Sequence, residues 1–148
     1  MLCDTYVYVL LEDKIHRSHI RILLADDHSI VREQLAVRLS GEPDFEVVGV
    51  ASTSYETFQK IQKMHPHILL MDPLMRDGLG VATLRRVRTN FPELVIVVLT
   101  AYVDTMLNMH FQQMGIKQIL TKGIVSSELL TALRAAHALA SFHDKQET

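Results

Sequence analysis

Five polar residues lie at the ends of four short apolar segments, and they are of the types that phosphoryl chemistry uses. The segments cover residues 20–25, 68–71, 95–99 and 119–121, and the polar residues that follow them are Asp26, Asp27, Asp72, Thr100 and Lys122. If the segments are parallel strands of one sheet, these side chains meet at its carboxyl edge, where open α/β sheets place their active sites. Three carboxylates, a hydroxyl and an ammonium group predict a site for Mg²⁺ and a phosphoryl group, with an aspartate as the nucleophile.

Each of these residues has a more ordinary explanation when it is taken alone. An aspartate after a strand is often a helix N-cap, and a lysine at such a position is often a solvated loop residue. Together they are harder to explain in this way, because three carboxylates at one edge would repel each other without a cation. Asp77 competes for the role of nucleophile, but it lies beyond the strand end beside Gly78 and is better explained as a turn residue.

The segments that would position these residues alternate regularly between strand and helix patterns. Strands are predicted at residues 20–25, 46–51, 68–71, 94–99 and 118–121. Helices are predicted where apolar residues recur at helical spacing: Val31, Leu35 and Leu39; Tyr55, Phe58 and Ile61 after a Ser54 cap; Val81, Leu84, Val87 and Phe91; Val103, Leu107, Phe111 and Met114; Leu129, Leu130, Leu133 and Ala136. This alternation predicts an α/β fold, a doubly wound five-stranded parallel sheet with helices on both faces.

Composition sets limits on the class of protein. The 148 residues suit one domain, and the net charge of -2 gives no electrostatic reason to expect nucleic-acid binding. Cys3 is the only cysteine, so an intramolecular disulfide is excluded, which suits a reducing compartment. No apolar run approaches the roughly 18 residues that cross a bilayer, and no secretory signal pattern is present. We therefore expect a cytoplasmic protein that does not bind membranes.

Residues 20 to about 140 resemble the receiver domain of bacterial two-component response regulators. The segment ILLADDH at residues 22–28, followed by Val31 and Arg32, is most similar to the LuxR/NarL-type branch. The resemblance implies a flavodoxin-like, CheY-like fold that uses Mg²⁺. It identifies Asp72 as the phosphoacceptor, and it implies the metal ligands Asp26, Asp27, Asp72 and the backbone carbonyl of Leu74. Thr100 would turn its hydroxyl toward the phosphoryl group, and Lys122 would pair with a phosphoryl oxygen.

The sequence departs from this family in the segment after Asp72. The run from Asp72 to Gly78 lacks the usual proline after Met75 and is about two residues short. Pro73 restricts Asp72 to extended backbone angles. By the same resemblance, Leu74 and Tyr102 flank the path of the water that hydrolyses an aspartyl phosphate. Ile119 stands where the family often has an aromatic residue that couples phosphorylation to the output surface.

The leading hypothesis is a phosphorylatable receiver, a signalling domain whose chemistry is limited to its own phosphorylation and hydrolysis. Its partner would be a sensor histidine kinase or a phosphotransfer protein, and a homodimer stays open. A rival hypothesis is a pseudo-receiver that is never phosphorylated and acts as a docking or dimerisation module. A third is a hydrolase of the aspartyl-phosphate type, which lacks its second acid because Leu74 occupies that position.

The predicted organisation is an N-terminal extension at residues 1–18, a receiver domain at 19–142 and a C-terminal tail at 143–148. The LuxR-like branch usually carries a C-terminal helix-turn-helix domain. The given chain has no such domain, so we expect no DNA binding by the chain itself, and a stand-alone receiver and a fragment both stay open. The eight histidines are expected at surface or capping positions, and Met106, Met109 and Met114 are expected to pack inside.

Overall fold

The computed structural model describes residues 19–146, so the predicted N-terminal extension lies outside the described residues. The strands are β1 (Ile20–Ala25), β2 (Phe45–Ala51), β3 (Ile68–Met71), β4 (Val95–Thr100) and β5 (Gln118–Thr121). The helices are α1 (Ser29–Ser40), α2 (Ser54–Met64), α3 (Gly80–Asn90), α4 (Thr105–Gln113) and α5 (Ser126–Asp144). Strand and helix alternate along the chain, as the sequence predicts.

The five strands form one parallel sheet in the order β2-β1-β3-β4-β5. The predicted doubly wound α/β fold is confirmed. The strand order reverses between β1 and β3, and ligands of open α/β sheets bind at the carboxyl ends of the strands beside such a reversal. β3 and most of β1 and β4 are buried on both faces, which explains their continuous apolar sequences.

The sheet separates two apolar layers. Leu23, Leu69 and Val98 face one layer, where residues from α2, α3 and α4 cover them. Ile22, Leu24, Leu70 and Val97 face the other layer, which α1 and α5 cover. Because side chains alternate along a strand, neighbouring residues of one strand anchor opposite layers. This two-sided packing fixes the strand ends from which the polar residues project.

Three local predictions are wrong. Thr53, rather than Ser54, is the N-cap of α2, and its hydroxyl accepts a hydrogen bond from the Glu56 amide at 3.1 Å. Tyr55 is 70% exposed, because Ser54 and Thr57 share the buried face of the helix with Phe58 and Ile61. Val103 precedes α4 and is exposed instead of lining it.

The methionine prediction holds for only one of its three residues. Met114 packs against the apolar layer beside Phe111, but Met106 and Met109 are 71% and 56% exposed on α4. Their helix rests on the sheet mainly through Phe111 and Leu107. Within residues 19–146, no helix combines the length and the hydropathy needed to cross a bilayer.

Candidate functional site

Lys122 joins two of the three aspartates at the carboxyl edge of the sheet. Its Nζ lies 2.7 Å from Asp26 Oδ2 and 2.6 Å from Asp72 Oδ2, and all three side chains are largely buried. Burial alone would lower the pKa of Lys122, but the bonds to Asp26 and Asp72 outweigh it and raise that pKa. The ammonium group therefore stays charged and holds the two carboxylates together.

Asp27 is held by a different cation. Its Oδ2 accepts hydrogen bonds from the backbone amide of Arg76 at 2.8 Å and from the Arg76 Nε at 3.2 Å. Burial would raise the pKa of Asp27, but Arg76 and the charge of His28 overcome this and lower it. Asp27 is therefore ionised at neutral pH.

The second oxygen of Asp27 has open bonding capacity. Among the described residues, Oδ1 is a buried carboxylate oxygen without a hydrogen-bond partner, although His28 Nδ1 lies 3.1 Å away. The same His28 nitrogen lies 3.0 Å from Asp26 Oδ1. Ligand atoms of these three residues lie within 4.8 Å of one another. A buried carboxylate oxygen without a hydrogen bond costs free energy, and a bound cation beside the nearby His28 ring would relieve that cost.

Asp72 lies directly after β3, and its backbone continues the sheet through an amide hydrogen bond to the Ala25 carbonyl at 2.9 Å. Its Oδ1 accepts a hydrogen bond from the Leu74 amide at 2.9 Å, while Oδ2 faces Lys122. Leu74 therefore contacts Asp72 through its amide. The Leu74 carbonyl as a metal ligand stays a prediction.

Thr100 ends β4 and is buried, but its hydroxyl is turned toward its own loop. Its Oγ1 donates to the Tyr102 carbonyl at 3.2 Å and accepts from the Tyr102 amide at 3.4 Å. The Thr100 carbonyl accepts a hydrogen bond from the Lys122 amide at 2.8 Å, which ties the two strand ends together. The sheet thus brings Lys122, Asp26 and Asp72 into direct contact, and Thr100 stands beside them with its hydroxyl engaged elsewhere.

The short segment from Pro73 to Leu79 is fixed at both ends. Asp77 accepts hydrogen bonds from the Ser54 amide at 2.7 Å and the Ser54 hydroxyl at 3.0 Å. A side chain at Gly80 would lie only 1.9 Å from the Pro73 carbonyl oxygen, so the start of α3 requires glycine there. Asp77 also accepts from the Leu79 amide at 3.0 Å, as expected for a turn residue. This fixed segment places Arg76 over Asp27.

Sequence reasoning did not single out Arg76 and His28. His28 follows the aspartate pair directly, so its adjacency was a usable signal. Arg76 gave a weaker signal, because its contact with Asp27 depends on the path of the whole segment between Asp72 and α3.

The residues present fit a hard divalent cation. Asp26 and Asp27 bring carboxylate oxygens, the ligands that Mg²⁺ prefers, to within 4.8 Å of each other, and one of these oxygens is buried without a hydrogen-bond partner. Asp72 lies next to them through their shared contact with Lys122. The adjacent Lys122 can compensate additional negative charge such as that of a phosphoryl group. The arrangement can therefore hold a cation and an anionic group side by side.

Comparison with known proteins gives a consistent result. Residues 22–134 match the family model of the response regulator receiver domain. The oxygen regulatory protein NreC of Staphylococcus aureus is 32% identical over 129 residues, which cover 86% of this chain and 59% of NreC. The chain thus spans about three fifths of the length of that curated relative.

Solved structures agree with the sequence matches. A LuxR-family two-component response regulator from Aurantimonas sp. SI85-9A1 superimposes with a TM-score of 0.76 at 27% identity, covering 82% of this chain and 86% of that one. The isolated REC domain of RcsB from Salmonella enterica serovar Typhimurium, solved with phosphomimetic BeF3-, gives 0.72 at 26% identity, covering 80% and 88%. A CheY-like receiver domain protein from Methanospirillum hungatei JF-1 gives 0.79 at 21% identity, covering 85% and 99%, and supports the fold alone.

Proposed function

The chain belongs to the response regulator receiver family, and we propose that it is a phosphorylatable receiver that accepts a phosphoryl group on Asp72. The observation that carries this proposal is the buried ammonium bridge from Asp26 through Lys122 to Asp72. Burying three charged groups together is a poor way to stabilise a fold, since desolvation offsets most of the Coulomb attraction. The bridge is better explained by chemistry at Asp72.

The proposed donor is a phosphohistidine of a sensor histidine kinase or of a phosphotransfer protein. A carboxylate oxygen of Asp72 attacks the phosphorus, the phosphorus–nitrogen bond breaks, and the imidazole leaves and takes up a proton. The product is a mixed anhydride on Asp72. Hydrolysis then ends the signal: water attacks the same phosphorus, the bond to the Asp72 oxygen breaks, the carboxylate is restored and inorganic phosphate is released.

The residues around Asp72 have separate tasks in this proposal. Lys122 pairs with a phosphoryl oxygen, and it stays protonated because its pKa is raised. Asp26, Asp27, Asp72 and the Leu74 carbonyl would hold Mg²⁺, which when bound neutralises charge on the transferred group. The Thr100 hydroxyl leaves the Tyr102 backbone and donates to the phosphoryl group.

The movement of Thr100 would couple Asp72 to the surface beside α4. Tyr102 lies two residues from Thr100 and is 70% exposed, and Met106 and Met109 on α4 are also exposed. Phosphorylation would shift the population between two arrangements of this surface and so change its partners. The proposal includes a cytoplasmic location, and it leaves room for a homodimer.

One observation favours a second candidate function, a docking module that is never phosphorylated. Arg76 already satisfies one oxygen of Asp27, so the site is partly neutralised without a cation. Such a site could persist for its structure alone. The two candidates differ in whether Asp72 reacts.

Intact-mass measurement after incubation with acetyl phosphate distinguishes them. The receiver proposal predicts a gain of one phosphoryl group with Mg²⁺ and a much smaller gain when EDTA replaces Mg²⁺. Lys122→Ala should reduce the gain, whereas Lys145→Ala, at an exposed position after α5, should not. No mass gain in the wild-type protein under any of these conditions would favour the docking module.

A further inference from the structure

Arg76 contacts the carboxylate that the proposed function assigns to Mg²⁺. We propose that the Arg76 guanidinium is a built-in counter-ion of this cation site, which pairs with Asp27 when no metal is bound and weakens metal binding. The inference rests on the cation site of the proposed function. It adds a residue that determines how strongly the site binds a cation.

The contact joins a fixed group to a movable one. The Asp27 side chain is only 10% exposed, whereas the Arg76 side chain is 80% exposed while its Nε lies 3.2 Å from Asp27 Oδ2. An exposed guanidinium can leave for water at little cost, because its hydration replaces a weak surface ion pair. A buried carboxylate has no such alternative, so an incoming cation would displace Arg76 and leave Asp27 in place.

The charges at the site support the same conclusion. Asp26, Asp27 and Asp72 bring three negative charges, and Lys122 compensates one of them. A divalent cation compensates the other two. His28, which lies 3.1 Å from Asp27 Oδ1, adds to the positive charge when it is protonated. The guanidinium of Arg76 is therefore a further positive charge beside Asp27, and it competes with a metal ion for that carboxylate.

The backbone and the side chain of Arg76 act differently. The backbone amide donates to Asp27 Oδ2 at 2.8 Å and does not depend on the residue type. It is held there because Asp77 ties the segment to Ser54 and because Gly80 packs against Pro73. Substitution of Arg76 therefore removes the charge and keeps the amide that orients Asp27.

The experiment measures cation affinity by calorimetric titration of the full chain with Mg²⁺ and with Mn²⁺, at one pH and low ionic strength. Arg76→Gln removes the charge and keeps a long polar side chain, and Arg76→Lys keeps the charge. Arg85→Gln is the matched control, because Arg85 is an exposed arginine on α3 outside the site. Thermal unfolding of each variant checks that it is folded.

We expect Arg76→Gln to bind both cations about threefold to tenfold more tightly than the wild-type protein, with Arg76→Lys and Arg85→Gln close to wild type. Added salt should narrow the difference, since the contact is exposed. The gain should vanish when Asp27→Asn is combined with Arg76→Gln. Equal or weaker binding by Arg76→Gln, an equal gain in Arg76→Lys, or a gain that persists without Asp27 would overturn the inference.

This outcome is separable from that of the proposed function. Tighter cation binding by Arg76→Gln without a mass gain on Asp72 would support the counter-ion and reject the receiver proposal. A mass gain on Asp72 together with an unchanged cation affinity in Arg76→Gln would support the receiver proposal and reject the counter-ion.

Discussion

At the scale of single residues, Leu74 and Tyr102 are the residues that the resemblance to receiver domains would place beside the proposed acceptor. Leu74 is 48% exposed, and its amide donates a hydrogen bond to Asp72 Oδ1. Tyr102 is 70% exposed, and its carbonyl accepts a hydrogen bond from the Thr100 hydroxyl. Leu74 has no polar side-chain atom with which to position an attacking water, and Tyr102 is bulky. Both should shield an aspartyl phosphate from hydrolysis.

We therefore expect the phosphorylated state to last for many minutes or more, rather than seconds, after the donor is removed. The double variant Leu74→Asn with Tyr102→Glu should lose its phosphoryl group several times faster, because polar side chains can orient water. The decay is followed by intact mass after desalting. Wild-type decay within seconds, or no acceleration in the double variant, would contradict this expectation.

His67 gives a second prediction at this scale, for stability. Its Nδ1 accepts a hydrogen bond from the Arg21 amide at 3.0 Å, and its ring lies 5.4 Å from that of His137. Burial, followed by the charges of His137 and Arg21, lowers the pKa of His67 from 6.5, although Glu46 acts in the opposite direction. Just below pH 6.5, His67 therefore binds a proton more readily in the unfolded protein than in the folded protein.

The free energy of unfolding should consequently fall as pH decreases from 6.5 toward the lowered pKa of folded His67. Urea unfolding at several pH values in this window measures the slope. His67→Gln should flatten the slope, while His110→Gln, at an exposed position on α4, should leave it unchanged. Identical slopes in wild type and His67→Gln would refute the assignment.

The five polar residues could be located from the sequence because each follows an apolar strand and parallel strands end at one edge. The contact of Arg76 with Asp27 could not, because it depends on how a shortened segment folds back. The direction of the Thr100 hydroxyl was equally hidden, since its partners are backbone groups of the next loop. Strand ends are fixed by sequence pattern, whereas loop contacts are fixed by tertiary geometry.

At the scale of elements, Asp77 connects the segment after β3 to the start of α2. It accepts hydrogen bonds from both the amide and the hydroxyl of Ser54, which is fully buried. Burial would raise the pKa of Asp77, but the hydrogen bonds from Ser54 and from the Leu79 amide outweigh it and lower that pKa. Asp77→Ala leaves a buried amide without its partner. We expect the free energy of unfolding to fall by about 1–3 kcal/mol.

Urea unfolding tests this expectation against Glu33→Ala, an exposed position on α1 where the change should stay within about 0.5 kcal/mol. A similarly small change in the free energy of unfolding of Asp77→Ala would mean that water replaces the carboxylate without loss.

The contact between Asp77 and Ser54 explains a wrong sequence-based prediction. Ser54 looked like an N-cap because of its residue type, but its hydroxyl is committed to Asp77, and Thr53 caps the helix instead.

The element pattern was predictable because five apolar strands and five helical repeats are strong signals. The exposed positions of Tyr55, Met106 and Met109 were less predictable. Apolar residue type alone does not say which face of a short helix meets the sheet, and in α2 the polar residues Ser54 and Thr57 occupy the buried face beside Phe58 and Ile61.

At the scale of the whole molecule, the described residues contain a complete five-stranded sheet with both faces covered. We therefore expect residues 1–18 to be dispensable for folding. Deleting them should change the thermal midpoint by less than about 4 °C, the shift that about 1 kcal/mol produces in a domain of this size. A larger fall, or loss of solubility, would show that the extension packs on the domain.

The central claim is that Asp72 is the phosphoacceptor, and intact mass of Asp72→Asn beside Asp77→Asn tests it most directly. Both proteins are incubated with Mg²⁺ and acetyl phosphate, and both keep a side chain of the same size. The account predicts that Asp72→Asn gains no phosphoryl group while Asp77→Asn gains one, because Lys122 contacts Asp72 and the Asp77 carboxylate is bound to Ser54. The account would be contradicted if Asp72→Asn gained a full phosphoryl group. It would also be contradicted if Asp77→Asn were folded and gained none while Asp72→Asn gained one.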